Sequence, residues 1–189
     1  MRRTVELGFL LALALILSYV ESLIPFSFGI PGIKLGLPNL IVLLLLYDTS
    51  GVENILAEHE DRSGVAKEKA FSRGAREALM VNALRIVLSG FLFSNLYTIL
   101  YALSGAAFSF LAMLMGKKCG RFSMIGVSVL GGVFHNIGQM IVAMLVVETF
   151  AVSYYAPFLI VAGTATGALL GIAGMELVPY LHKMGRKGK

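Results

Sequence analysis

Apolar runs separated by turn and charge signals divide the 189-residue chain into six stretches, about 5–24, 36–47, 77–93, 95–116, 123–147 and 157–178. Crossing a hydrocarbon core as helix takes roughly 20 apolar residues, and each stretch approaches that except the short second one. Segments such as LGFLLALALILSYV and MIGVSVLGGVFHNIGQMIVAMLVV carry almost no charge. The pattern predicts an all-α integral membrane protein of six transmembrane helices, one membrane domain over residues 1–189. Arg2 and Arg3 ahead of the first apolar run resemble the start of a signal peptide, but no small-residue cleavage site follows at SYVESLIPF, so the run is kept as the first span.

Composition and charge sharpen this picture. The chain is 57% hydrophobic and 14% charged, more apolar surface than a soluble fold of this size could hide. Basic residues test the topology independently: Arg2, Arg3, Arg62, Lys67, Lys69, Arg73, Arg76, Lys117, Lys118, Arg121, Lys183, Arg186, Lys187 and Lys189 all fall on one side of the six spans. That is 14 of the 16 Lys and Arg residues. Basic loops stay cytoplasmic, so both termini are expected inside. Only Lys34, in the first outer loop, and Arg85, inside the third span, depart from the rule. The net charge of +5 therefore reports orientation in the bilayer and not a nucleic-acid partner. Cys119, the single cysteine, has neither a disulfide partner nor a CxxC pattern.

Residues 48–76, DTSGVENILAEHEDRSGVAKEKAFSRGAR, form a polar, mixed-charge insert between the second and third spans. Two stretches suit short helices, one after Asp48, Thr49 and Ser50 and one after Ser63. A solvated cytoplasmic loop is the plain reading, and a docking element for a cytoplasmic partner is the alternative. His59 in EHED has no second histidine at i+4 to share its helical face, so no metal site is expected.

Small residues four apart make a flat stripe on which another helix packs closely. Gly163, Gly167 and Gly171 form one in the last span, for which packing within the chain is expected. In the first span Gly8 with Ala12, and Ala14 with Ser18, repeat the interval, and there the stripe suits a partner protein equally well.

Polar residues inside the spans carry the candidate chemistry. A charge at mid-bilayer costs at least ~2.5–3.5 kcal/mol on insertion scales and normally faces a bundle interior or a wet cavity. Asn82, Arg85 and Ser89 share one face of the third helix, and in the fifth His135 and Gln139 lie four apart, with Asn136 about 100° round. By helical rise Arg85 lies ~12 Å above Glu77 and His135 ~16 Å above Met124, depths compatible with one pocket. These groups could simply satisfy one another between helices, each bond contributing ~0.6–2 kcal/mol. Donors dominate the set, however, which suits an oxygen-rich or anionic ligand. Glu21, at the outer end of its span, is available to pair with Arg85 or Lys34. The outer loop ESLIPFSFGIPGIKLGLPNL mixes residues that fix φ with residues that free it, a shaped connection that could cap the pocket or merely close a tight turn. Lys34 and Asn39 are placed in the pocket. Pro25, Phe26, Phe28, Gly29, Pro31 and Gly32 are placed in the gating loop, and Phe26, Phe28, Tyr97 or Phe134 would accommodate an aromatic ligand.

IPGIKLGLPNLIVLLLLY, LMVNALRIVLSG and VSVLGGVFHNIGQMIVAMLVVET, in that order on six short spans, resemble the substrate-binding S-components of energy-coupling-factor (ECF) transporters. The closest branch is that labelled Gx transporter or heptaprenyl diphosphate synthase component I, and the resemblance spans the chain except residues 48–76. It implies a bacterial plasma-membrane protein that captures a vitamin-like micronutrient from outside. It also implies association with a transmembrane coupling protein and two ATPase subunits, with small residues of the first helix, here Gly8, Ala12, Ala14 and Ser18, facing the coupling protein. No cofactor is expected. An enzyme is not expected either: the chain has only Asp48 and Asp61, not the aspartate-rich clusters that hold magnesium diphosphate, and no GxxxxGK[ST] loop. Two other functions remain open, a non-catalytic membrane subunit assisting isoprenoid or quinone synthesis, and a self-sufficient proton-coupled carrier in which His135 or Glu21 titrates.

Overall fold

In the computed structural model the described residues are 2–23, 34–48 and 63–186, with side chains over 3–23, 34–48 and 68–181. Pro25, Phe26, Phe28, Gly29, Pro31 and Gly32 lie outside the described residues, as do residues 49–62 of the insert, including His59. Among the described residues six α-helices follow one another: α1 (Arg2–Leu23), α2 (Asn39–Tyr47), α3 (Ser63–Phe93), α4 (Leu96–Cys119), α5 (Met124–Val147) and α6 (Ala156–Arg186), with a 3-10 helix at Phe150–Tyr155 leading into α6. Every apolar stretch of the sequence has its helix, and no strand occurs among the described residues.

Local chemistry sets the ends. The Asn95 side chain accepts from Thr98 N at 2.9 Å to open α4, and Ser123 accepts from Gly126 N at 3.2 Å to open α5. Gly120 closes α4 in the left-handed region at φ 69°. The insert departs from expectation: its second half is no separate short helix but the first turns of α3, which runs unbroken for 31 residues. No proline interrupts it, and Gly74 lets it approach α2 closely, since a Cβ there would come within 2.6 Å of the Leu45 carbonyl oxygen.

Among the described residues four segments are long and apolar enough to cross a membrane: Arg3–Leu23, Leu96–Cys119, Met124–Val147 and Phe150–Leu181. Large apolar side chains cover the outside of the bundle, among them Phe91 at 84% and Phe150 at 86% exposure, a surface suited to lipid. The chain is a multi-pass membrane protein. Its α2 is different. Nine residues give only ~13 Å of helix, and Asn39 through Leu46 are all buried. Such a helix, apolar on every side, belongs in the middle, and α2 touches all five of the others.

Two of those neighbours answer its ends. The Glu21 carboxylate of α1 accepts from the Gly36 and Leu37 amides just before α2, and the Lys117 ammonium of α4 donates to the Leu46 carbonyl at its close. An acid at the start and a base at the end both suit the helix dipole. The stripe in α6 packs within the chain, as expected. A Cβ on Gly167 would lie 2.7 Å from Val129 Cα and one on Gly171 2.7 Å from Ile125 Cα, so α5 and α6 meet backbone to backbone.

Candidate functional site

α1, α3, α4, α5 and the segment leading into α2 enclose a cavity bounded by Glu21, Lys34, Asn39, Arg85, His135 and Gln139, with Ser89, Ser94 and Thr98 completing its polar wall. These side chains nearly fill it; about 10 Å³ is free, room for about one water molecule. Arg85 is held from two sides. Its Nε and Nη2 donate to Asn82 Oδ1 at 3.1 and 2.8 Å, and its Nη1 donates to Ser18 Oγ on α1 at 3.1 Å. The Lys34 amide donates to Gln139 Oε1 at 3.1 Å, which joins the segment before α2 to α5. Burial lowers the Lys34 ammonium from its ordinary range; Glu21 opposes that shift and Arg85 adds to it.

Glycines let the parts converge. Gly36, at φ 80°, adopts a conformation that L side chains rarely tolerate, and a Cβ there would lie 2.8 Å from Asn39 Nδ2 and 3.0 Å from His135 Cδ2. On the other side of the imidazole a Cβ on Gly105 would lie 2.8 Å from His135 Cε1 and 2.9 Å from Gln139 Cγ. Asn39, His135 and Gln139 are therefore contiguous. Asn39 Nδ2, His135 Nδ1 and Gln139 Nε2 are buried with no hydrogen-bond partner among the described residues. Unpaired buried polar atoms cost ~1–3 kcal/mol each, so three in one cavity are an arrangement held against stability.

A second polar cluster gathers the opposite ends of the helices. Arg3 of α1 pairs with Asp48 at 2.6 Å, with Glu6 at 3.1 Å and with Glu77 of α3. The Lys117 ammonium, besides capping α2, lies 4.2 Å from the Tyr47 ring centroid. From Arg3 to Glu21 is 18 residues of α1, about 27 Å of rise, close to the ~30 Å of a hydrocarbon core.

Of the predicted binding residues, Lys34, Asn39, Arg85, Ser89, His135 and Gln139 line the cavity. Asn82 stands behind it as the clamp on Arg85. Asn136 points away: its amide nitrogen donates to the Leu159 carbonyl at 2.8 Å and fastens α5 to α6, the interhelical role that sequence left open. Tyr97 and Phe134 are not in the cavity wall but face outward, at 62% and 38% exposure. On α1 the two small-residue pairs separate: Gly8 and Ala12 are exposed, whereas Ala14 and Ser18 are buried against the bundle. Ser18 is thus engaged with Arg85 and not turned to an outside partner. Glu21 forms no ion pair with Arg85 or Lys34 among the described residues and holds backbone amides instead. Sequence reasoning missed Glu21, Ser94 and Thr98 as wall residues and Gly105 as the floor under His135. For Glu21 a signal existed, an acid at the apolar end of a span.

An all-helical, multi-pass membrane protein with a buried, donor-rich cavity at one end of its bundle is what the fold and the site define. The chain belongs to the family described as heptaprenyl diphosphate synthase component I, whose family model matches residues 10–57 and 69–177. That is the branch to which the three sequence motifs point. The break in the match, 58–68, falls inside the insert and is shorter than 48–76. No curated protein and no solved structure matches the chain.

Proposed function

We propose that the protein is the substrate-binding membrane subunit of an ATP-driven ECF-type uptake transporter. It captures a small, oxygen-rich or anionic solute from outside in the cavity beneath its first outer loop. In this reading the helices cross a bacterial plasma membrane six times with both termini inside. α2 counts as a crossing although short, because it starts beside Glu21 at one end of α1 and finishes beside Arg3 at the other. α3 crosses with its apolar second half. The observation that carries the reading is the convergence of Arg85 with the unpartnered nitrogens of Asn39, His135 and Gln139 in one buried cavity. A purely structural network would be expected to satisfy its members. Coupling to ATP belongs to partners, a transmembrane coupling protein and two ATPase subunits, for which the exposed Gly8 and Ala12 offer a flat stripe on α1. No catalytic step is assigned to this chain, and residues 48–76 face the cytoplasm.

The family's description favours one second reading, a non-catalytic membrane subunit in heptaprenyl diphosphate synthesis. A single experiment separates the two. The tagged protein is purified from its native membrane and its partners are identified. Stoichiometric ATPase subunits support the transporter. A soluble prenyl synthase whose activity depends on this chain supports the alternative and sinks the first reading.

A further inference from the structure

The valence of Arg85 says more about the solute. A guanidinium has five N–H groups. Asn82 takes one from Nε and one from Nη2, and Ser18 takes one from Nη1. One N–H remains on each terminal nitrogen, and such a pair grips an oxyanion with two parallel bonds. Asn82 and Ser18 are thereby positioning residues: they fix the plane of the fork and leave its end open. Gln139 Nε2 and Asn39 Nδ2 are further donors without partners. The bond from the Lys34 amide to Gln139 Oε1 settles which end of that amide remains free.

Charge narrows the anion. Counted at their ordinary charges, Arg85 and Lys34 as cations and Glu21 as the one acid give the described cavity wall one net positive charge. One negative charge on a ligand balances it; a phosphate monoester, at about −1.5 to −2 near neutrality, overshoots. We infer that the site takes a monocarboxylate, its carboxylate end-on at Arg85 within reach of the free amides of Asn39 and Gln139. This rests on the cavity being a solute site, as proposed above.

Formate is the smallest probe that carries the group. Thermal unfolding of the detergent-purified full chain is followed in formate, phosphate or chloride at pH 7 and equal ionic strength. Formate should raise the midpoint saturably by a few degrees over chloride, as a ligand that binds only the folded state must, while phosphate should not exceed chloride. Arg85→Lys keeps the charge but not the fork and should lose the formate shift. Gln139→Leu removes one amide donor and should weaken it, which keeps the test intact if the lysine variant fails to fold. A larger shift in phosphate than in formate, no formate shift in the natural protein, or a formate shift that persists undiminished in both variants overturns the assignment. Partner purification is an independent readout, so a failed carboxylate assignment and a failed transporter reading are told apart.

Discussion

Two polar clusters occupy opposite ends of the same helices, and they are finished differently. At one end Arg3 meets three carboxylates and Lys117 meets the Leu46 carbonyl of α2 and an aromatic face. At the other end Arg85 keeps two N–H groups in hand, and Asn39, His135 and Gln139 each keep a buried nitrogen without a partner among the described residues. Both clusters tie α1 to the bundle, and both put charge where water is scarce. What separates them is satisfaction. A cluster whose charges answer one another is a fastening; a cluster left short of acceptors is arranged for something that supplies them. Burial alone would have marked both as sites, and partner accounting marks one.

Perturbing each cluster in turn should therefore give opposite signatures. Arg3→Ala removes the guanidinium that pairs with Asp48 and Glu77, which are mostly buried, and breaking such a group costs about 3–5 kcal/mol when fully buried. Because Arg3 is 32% exposed, about 2–3 kcal/mol is expected here, read as a lowered unfolding midpoint in detergent with ligand affinity unchanged. Loss of affinity with stability intact would contradict the division. Next in size, Gly105→Ala drives a methyl into His135 and Gln139, at 2.8 and 2.9 Å from Cε1 and Cγ. Overpacking costs about 1–3 kcal/mol, offset by about 1 for alanine in a helix, so stability should change little. Retention of the bound solute should fall roughly tenfold, a loss of about 1.4 kcal/mol. Smaller still is Asn39→Leu, which removes an unpartnered buried amide: the unfolding midpoint should hold or rise, by up to ~1 kcal/mol of stability, while solute binding weakens. A marked drop in stability would mean that Asn39 is a structural member after all. Smallest is Gly8→Leu on the open face of α1, where an added Cβ meets nothing within 4 Å; stability should stay within about 0.5 kcal/mol and only co-purification with partners should suffer.

Much of the architecture was legible from hydrophobic run length. All six apolar stretches hold helices, because in a membrane a long apolar run satisfies its backbone groups within itself as helix. The polar stripe of Asn82, Arg85 and Ser89 and the pair His135 and Gln139 were legible too, since helical spacing alone puts each set on one face. What spacing could not show is which face of one helix meets which of another. Ser18 reads as one small residue of a docking stripe until α1 is seen against α3, where its hydroxyl meets Arg85. Asn136 reads as part of the donor cluster until the Leu159 carbonyl is found beneath it. The Arg3 cluster went unread because Arg3, Asp48, Glu77 and Lys117 are far apart in sequence and each looks like an ordinary charge at the end of a span. The continuity of α3 was hidden by composition: the charged stretch after Ser63 reads as a separate short helix within the insert, although nothing between it and the third apolar run breaks a helix.

The central claim is that the Arg85 cluster is completed by a small solute and the Arg3 cluster by the protein itself. Native mass spectrometry of the detergent-purified protein tests it most directly, on the natural chain, Arg85→Ala and Arg3→Ala in parallel. The account predicts a small molecule of one defined mass retained by the natural chain and by folded Arg3→Ala, and lost from folded Arg85→Ala. The same adduct on folded Arg85→Ala at undiminished occupancy would contradict it.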